Sequence, residues 1–88
     1  SMLRTYQSMY RYATGLMDGM DLDDKAREVI IEMVFQLGVG GVGKFKKMWE
    51  ALRNKDYGEA SFQMMDSRWA KQTPNRAESL SKVMRSCS

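Results

Sequence analysis

The sequence predicts an all-α fold, a compact bundle of about six or seven short helices around a central buried helix. Three observations predict it. Apolar residues recur at spacings of three and four along most of the chain, no convincing run alternates with a period of two, and residues that start or stop helices punctuate the pattern at short intervals. The 88 residues make one domain, residues 1–88, with a modest core.

The first helix is drawn by Leu3, Tyr6, Tyr10, Ala13 and Met17, a stripe of about four turns that Gly15 and Gly19 then loosen. The Ser1-Met2 pair reads as residues added ahead of the natural start. In MDLDDKAREVIIEMVFQLG, Asp21 or Asp23 can accept hydrogen bonds from the orphan amides of a helix start, and the acidic cluster complements the helix dipole. Ala26, Val29, Ile30, Met33, Val34 and Leu37 form the inward face, and their wide apolar arc makes this the central buried helix. Gly38 follows the last periodic residue and is placed to take the left-handed conformation that ends a helix.

The next stretch, GVGGVGKF, nearly spells a phosphate-cradling loop. That motif needs a strand before its first Gly and a Ser or Thr after its Lys to hold magnesium. Here a helix precedes it and Phe45 occupies the magnesium position, so the glycines are read as a sharp helix-to-helix corner. Val39, Val42 and Phe45 keep helical spacing beyond the corner, with Lys44 toward solvent. A helix with Phe45, Met48, Trp49 and Leu52 on its inner face runs to about Asn54. Asp56, followed three residues later by Glu59, starts another, running through Ala60, Phe62, Met64 and Met65. Ser67 caps a single turn carrying Trp69, Thr73-Pro74 is a cap followed by Pro at the first helical position, and a final helix presents Ala77, Leu80, Val83 and Met84.

Composition removes several function classes. Histidine is absent, which excludes His-based zinc sites and Ser/His or Cys/His nucleophiles, and no cofactor is expected. The single cysteine, Cys87, excludes an internal disulfide and fits synthesis in a reducing compartment. No segment approaches the roughly 20 apolar residues of a membrane span, and no signal peptide is evident. Charge is uneven: residues 1–32 carry four Lys/Arg against six Asp/Glu, and residues 33–88 carry ten against five. The basic residues are scattered among acidic ones, as on a solvated helical face, except for the cluster Lys44, Lys46 and Lys47.

MVFQLG, the Gly41-Val42 pair, Phe45 and above all SRWAKQTPNRA, from Ser67 to Ala77, resemble the C-terminal helical lobe of T-even phage-type lysozymes. The GVGGVGKF corner is more similar to the lysozyme domain of the phage tail baseplate hub. The resemblance implies a two-lobed muramidase that hydrolyses the β-1,4 bond between N-acetylmuramic acid and N-acetylglucosamine, with the peptidoglycan saccharide held between the lobes. Synthesis in the host cytoplasm or residence in the virion tail, with action at the cell wall, follows from it.

The family's chemistry uses a Glu, an Asp nine residues later and a Thr six beyond, all in the other lobe. Here, among the glutamates, only Glu50 has a carboxylate nine residues on, Glu59, and Met65 stands where the Thr would be. The N-terminal catalytic lobe is thus expected to be absent and the chain inactive alone. Of the saccharide contacts attributed to this lobe, Phe35 matches, Met48 replaces a Ser and Gln63 replaces an Asn. Gln63 keeps an amide donor and acceptor, whereas Met48 cannot replace a hydroxyl. By helical phase Gln36 is a better-exposed polar candidate, Phe35 reads equally well as core, and Trp69 reads as core.

An exposed interlobe surface leads to the expectation of a homodimer. Two other functions stay open: a non-catalytic peptidoglycan-binding or phage-tail structural module, and a small basic nucleic-acid-binding domain. The last would need several Arg, Asn or Gln side chains on one exposed helical face, and only the short Gln72 to Arg76 run offers them, so no nucleic-acid partner is expected.

Overall fold

A computed structural model describes residues 2–88, with the side chains of all but residues 2–4 and 39. Leu3 and Val39, expected on apolar faces, lie outside the described side chains. The elements are α1 (Met2–Leu16), α2 (Asp24–Gly43), α3 (Lys46–Arg53), α4 (Tyr57–Met65), α5 (Arg68–Gln72) and α6 (Pro74–Arg85). No strand occurs among the described residues. Within α2, Gly38 takes φ 75° and ψ 169°, which breaks the helix in two and gives the described chain seven helical segments. The fold is all-α, and its radius of gyration of 12.2 Å matches the roughly 12 Å of a well-packed domain of this length.

The first segment of α2 is the central helix. Ala26, Val29, Ile30, Met33 and Val34 are buried on it, as their spacing predicts. α1 and α6 pack against α2, α4 lies between α3 and α6, and α5 closes on α6. Met17, Met33, Met48, Met64 and Met84 are all buried to within 1% of full enclosure. Their unbranched side chains fill the irregular space where short helices cross.

Three apolar stripes differ from the expected ones. On α1, Ala13 is buried, as is Met17 just past the end of the helix, while Tyr6 and Tyr10 are about half exposed, because α2 is the element that α1 packs against and it covers a narrow face. On α4 the inward residues are Tyr57, Ala60, Ser61 and Met64, a regular helical spacing, so Phe62 and Met65 point outward. Val83 on α6 is also exposed.

The helix ends explain how so many short elements persist. Asp23, not Asp21, caps α2 by accepting from the Lys25 amide at 2.8 Å. Asp56 caps α4 through the Glu59 amide at 3.1 Å, and Glu59 turns its carboxylate to Gln63 instead of back to the cap. Ser67 accepts from the Ala70 amide at 3.1 Å. Thr73 departs from expectation: its hydroxyl donates to the Trp69 carbonyl at 3.0 Å, and Pro74 opens α6 without a side-chain cap.

At the glycine corner a Cβ on Gly41 would stand 3.0 Å from the Cβ of Leu37, so the two segments of α2 approach closely there. The buried Trp49 indole donates to the Val42 carbonyl at 3.0 Å and fastens the corner to α3. Two further ties hold the start of α2 to the turn before α4. The Asp23 amide donates to the Tyr57 hydroxyl at 2.9 Å, and Lys55 pairs with Asp21 at 2.7 Å.

Candidate functional site

Trp69 lines one groove, and Phe45, its ring partner, lines a second. The first, of ≈ 760 Å³, runs between the end of the central helix and the α5–α6 corner, and its wall includes Glu32, Phe35, Gln36, Trp69, Gln72 and Arg76. Phe35 is half-buried, and its ring lies on Tyr6 of α1 with centroids 4.9 Å apart and planes tilted by 33°. Gln36 is half-buried as well. Its Oε1 accepts a hydrogen bond from the Trp69 indole at 3.1 Å, so this side chain is fixed in place and is less free than its helical phase predicts.

The second groove, of ≈ 420 Å³, is lined by residues 44–48 at the start of α3 and by Gln63, Asp66 and Ser67 at the end of α4. The Gln63 amide donates to the Glu59 carboxylate at 2.8 Å, an i,i+4 contact that aims the side chain along α4. Phe45 packs its ring edge against Trp69, with centroids 6.4 Å apart and planes at 79°.

Of the four candidate contact residues, the structure brings Phe35 and Gln36 to the first groove and Met48 and Gln63 to the second. Met48 requires a correction, since it is completely buried. It belongs to the inner face of α3 with Trp49, Ala51 and Leu52, and so underlies the groove without offering a solvent-facing group. Trp69 is core, as expected, and lines the first groove. Glu32 and Gln72 were not singled out by the sequence reading. Glu32 had a legible signal, since it lies three and four residues before Phe35 and Gln36 on the same helix face.

Carboxylates are sparse on the groove walls. Glu32 is the one carboxylate lining the first groove and Asp66 the one lining the second, among the described residues. Glu50 and Glu59 do share a depression of ≈ 260 Å³ with Asp56, but Asp56 is a helix cap and Glu59 holds Gln63. The titration shifts that stand out belong to groups lining neither groove. Asp21 is held below its ordinary value by the hydrogen bond and charge of Lys55, and Lys55 is raised by the same contact. The Cys87 thiol is pushed up by burial and then by the charge of Asp23.

No protein-family model matches the chain. Over 64 residues, 73% of this chain, it is 39% identical to a protein of Dictyostelium discoideum named probable T4-type lysozyme 1, covering 38% of that protein. The chain carries a T4-type lysozyme-like region. A second Dictyostelium discoideum protein, probable T4-type lysozyme 2, is 37% identical to it over 57 residues, 65% of this chain and 34% of that protein. The pre-baseplate central spike protein Gp5 of Enterobacteria phage T4 is 37% identical over 62 residues, 69% of this chain and 11% of that protein. The lysozyme-like chain thus spans between a third and two fifths of the two lysozymes and about a tenth of the spike protein. No helix among its described residues is long and apolar enough to cross a membrane.

Proposed function

We propose that this chain is the helical lobe of a T4-type lysozyme, that it forms one wall of a cleft for the peptidoglycan saccharide, and that it is inactive without an acid-bearing lobe. The observation that carries the reading is the first groove. There the ring of Phe35, backed by Tyr6, stands beside the amide and guanidinium groups of Gln36, Gln72 and Arg76. A pyranose ring presents an apolar face to such an aromatic surface and hydroxyl and N-acetyl groups to such donors and acceptors. Gln63 supplies an equivalent amide in the second groove.

Inactivity is supported by the chemistry the grooves lack. Glycoside hydrolysis uses two carboxyl groups flanking the scissile bond, roughly 5 to 9.5 Å apart, and neither groove wall pairs two carboxylates among the described residues. The exposed rings of Tyr6 and Tyr10 on α1 are proposed to face the catalytic lobe, or a second copy of the chain in its absence. Likeness to a pre-baseplate spike protein supports residence in a phage tail.

The test adds the chain to purified cell walls and, separately, titrates it with muropeptides while recording amide and side-chain NMR shifts. No clearing of the walls is expected, together with shifts at Phe35, Gln36 and Gln63 that Phe35→Ala suppresses. Clearing by this chain alone would refute inactivity, and the absence of any shift in the grooves would refute saccharide binding.

A further inference from the structure

Phe35 and Gln36, in succession near the end of the central segment of α2, are each held by a ring from another helix. The Trp69 indole of α5 fixes Gln36, and the Tyr6 ring of α1 lies on Phe35 with centroids 4.9 Å apart. Phe35 lines the first groove, whereas no described residue of α1 does. One ring is thus shared between the groove and a helix outside it.

Tyr6, Met9, Ala13 and Leu16 recur at spacings of three and four along α1, which places them on one helix face. Ala13 is fully buried on that face, and Met9 and Leu16 pack against the core. Tyr6 ends the row 55% exposed, with Phe35 as its ring partner and the more enclosed of the two. Without that contact the Phe35 side chain is free to exchange among the rotamers its helix allows. A ring that receives a flat sugar face binds more tightly when it is held in place beforehand, because its ordering then no longer opposes binding.

We infer that Tyr6 is a positioning residue for the saccharide: it holds the Phe35 ring in the orientation the first groove uses, and so couples the docking of α1 on α2 to the affinity of a groove that Tyr6 does not line. The inference rests on the saccharide reading above and adds to it a residue outside the groove. Such a coupling is reciprocal. Whatever factor Tyr6 adds to saccharide affinity, bound saccharide adds to the docking of α1. The strength of an aromatic pair bounds that factor at about twofold to tenfold.

The experiment titrates the 88-residue chain with a disaccharide muropeptide and compares Tyr6→Ala, Tyr6→Phe and Tyr12→Ala. Tyr12 is also about half exposed on α1 and has no ring partner among the described residues. Affinity should fall about twofold to tenfold in Tyr6→Ala and hold in the other two. Amide hydrogen exchange supplies a second readout, since it reports local opening of a helix. In the unaltered chain the amides of residues 7–14 should exchange more slowly, by the same factor, once muropeptide is saturating. That slowing should persist in Tyr6→Phe and disappear in Tyr6→Ala. Unchanged affinity in Tyr6→Ala, even with a lowered melting temperature, makes the contact structural only; it overturns the inference and leaves the saccharide reading standing. An equal loss in Tyr12→Ala overturns the assignment to Tyr6, and failure of the unaltered chain to bind muropeptide overturns both the inference and the saccharide reading.

Discussion

The indole Nε1–H of Trp69 donates to Oε1 of Gln36 across 3.1 Å and joins α5 to the last turn before the Gly38 break. Trp69 is only 6% exposed, so its N–H has little access to water as an alternative partner. Leaving such a donor unsatisfied costs about 1–3 kcal/mol, and Gln36→Leu is expected to lose that much in urea denaturation. Combining it with Trp69→Phe should cost less than the sum of the two single changes. Strict additivity in the double-mutant cycle would mean that the contact contributes nothing.

The corner glycines separate by conformation. Gly38 has open space around its Cα but a positive φ, so Gly38→Ala meets backbone strain alone and is expected to destabilise by about 1 kcal/mol or more. Gly40 also has open space and lies in the helical segment beyond the break. There Gly40→Ala should stabilise by about 0.5–1 kcal/mol, since alanine has less freedom to lose on folding. Thermal melts of the two variants moving in the same direction would contradict the assigned geometry.

Met48 tests the boundary between core and groove. As a fully buried residue, its replacement in Met48→Ser should destabilise by about 2–5 kcal/mol through the cavity left behind, with a further penalty for the enclosed hydroxyl. If Met48 faced the groove instead, the substitution would leave the melting temperature nearly unchanged.

The Asp21–Lys55 pair gives a pH signature with a defined sign. Contact with Lys55 lowers the Asp21 carboxyl below its ordinary 3.8, so its stabilising contribution is present above that value and lost as pH falls through the lower folded one. Lys55 is raised above 10.5, so its contribution is present below that value and lost as pH rises through the higher folded one. Both groups are exposed, so the effect on global stability is small and screened by salt. Lys55→Gln should return the Asp21 carboxyl to its ordinary range in a carbon-detected NMR titration, and an unchanged midpoint would show that the pair does not form in solution.

Much of the fold was legible because helices declare their ends. The caps at Asp23, Asp56 and Ser67, Pro74 at a helix start and the left-handed Gly38 all depend on local chemistry and read directly from the chain. Faces were harder. Tyr6, Tyr10 and Phe62 look like core by composition, and only the arrangement of neighbouring helices decides that they remain exposed. The same limit applies to the site. Phe35 and Gln63 were found through a resemblance, and Gln36 through helical phase. The bond that fixes Gln36 to Trp69 joins residues 33 apart, which no local pattern encodes.

Three ties in this molecule bridge nearly the same length of chain: Asp21 to Lys55 and Asp23 to Tyr57 across 34 residues, and Gln36 to Trp69 across 33. Closing a loop of that size costs entropy that varies only slowly with its length. Once the tyrosine is docked, the lysine and aspartate are already neighbours and the indole has a shorter path to its glutamine. The first closure during folding therefore recruits the others, which favours all-or-none assembly over a succession of half-built forms.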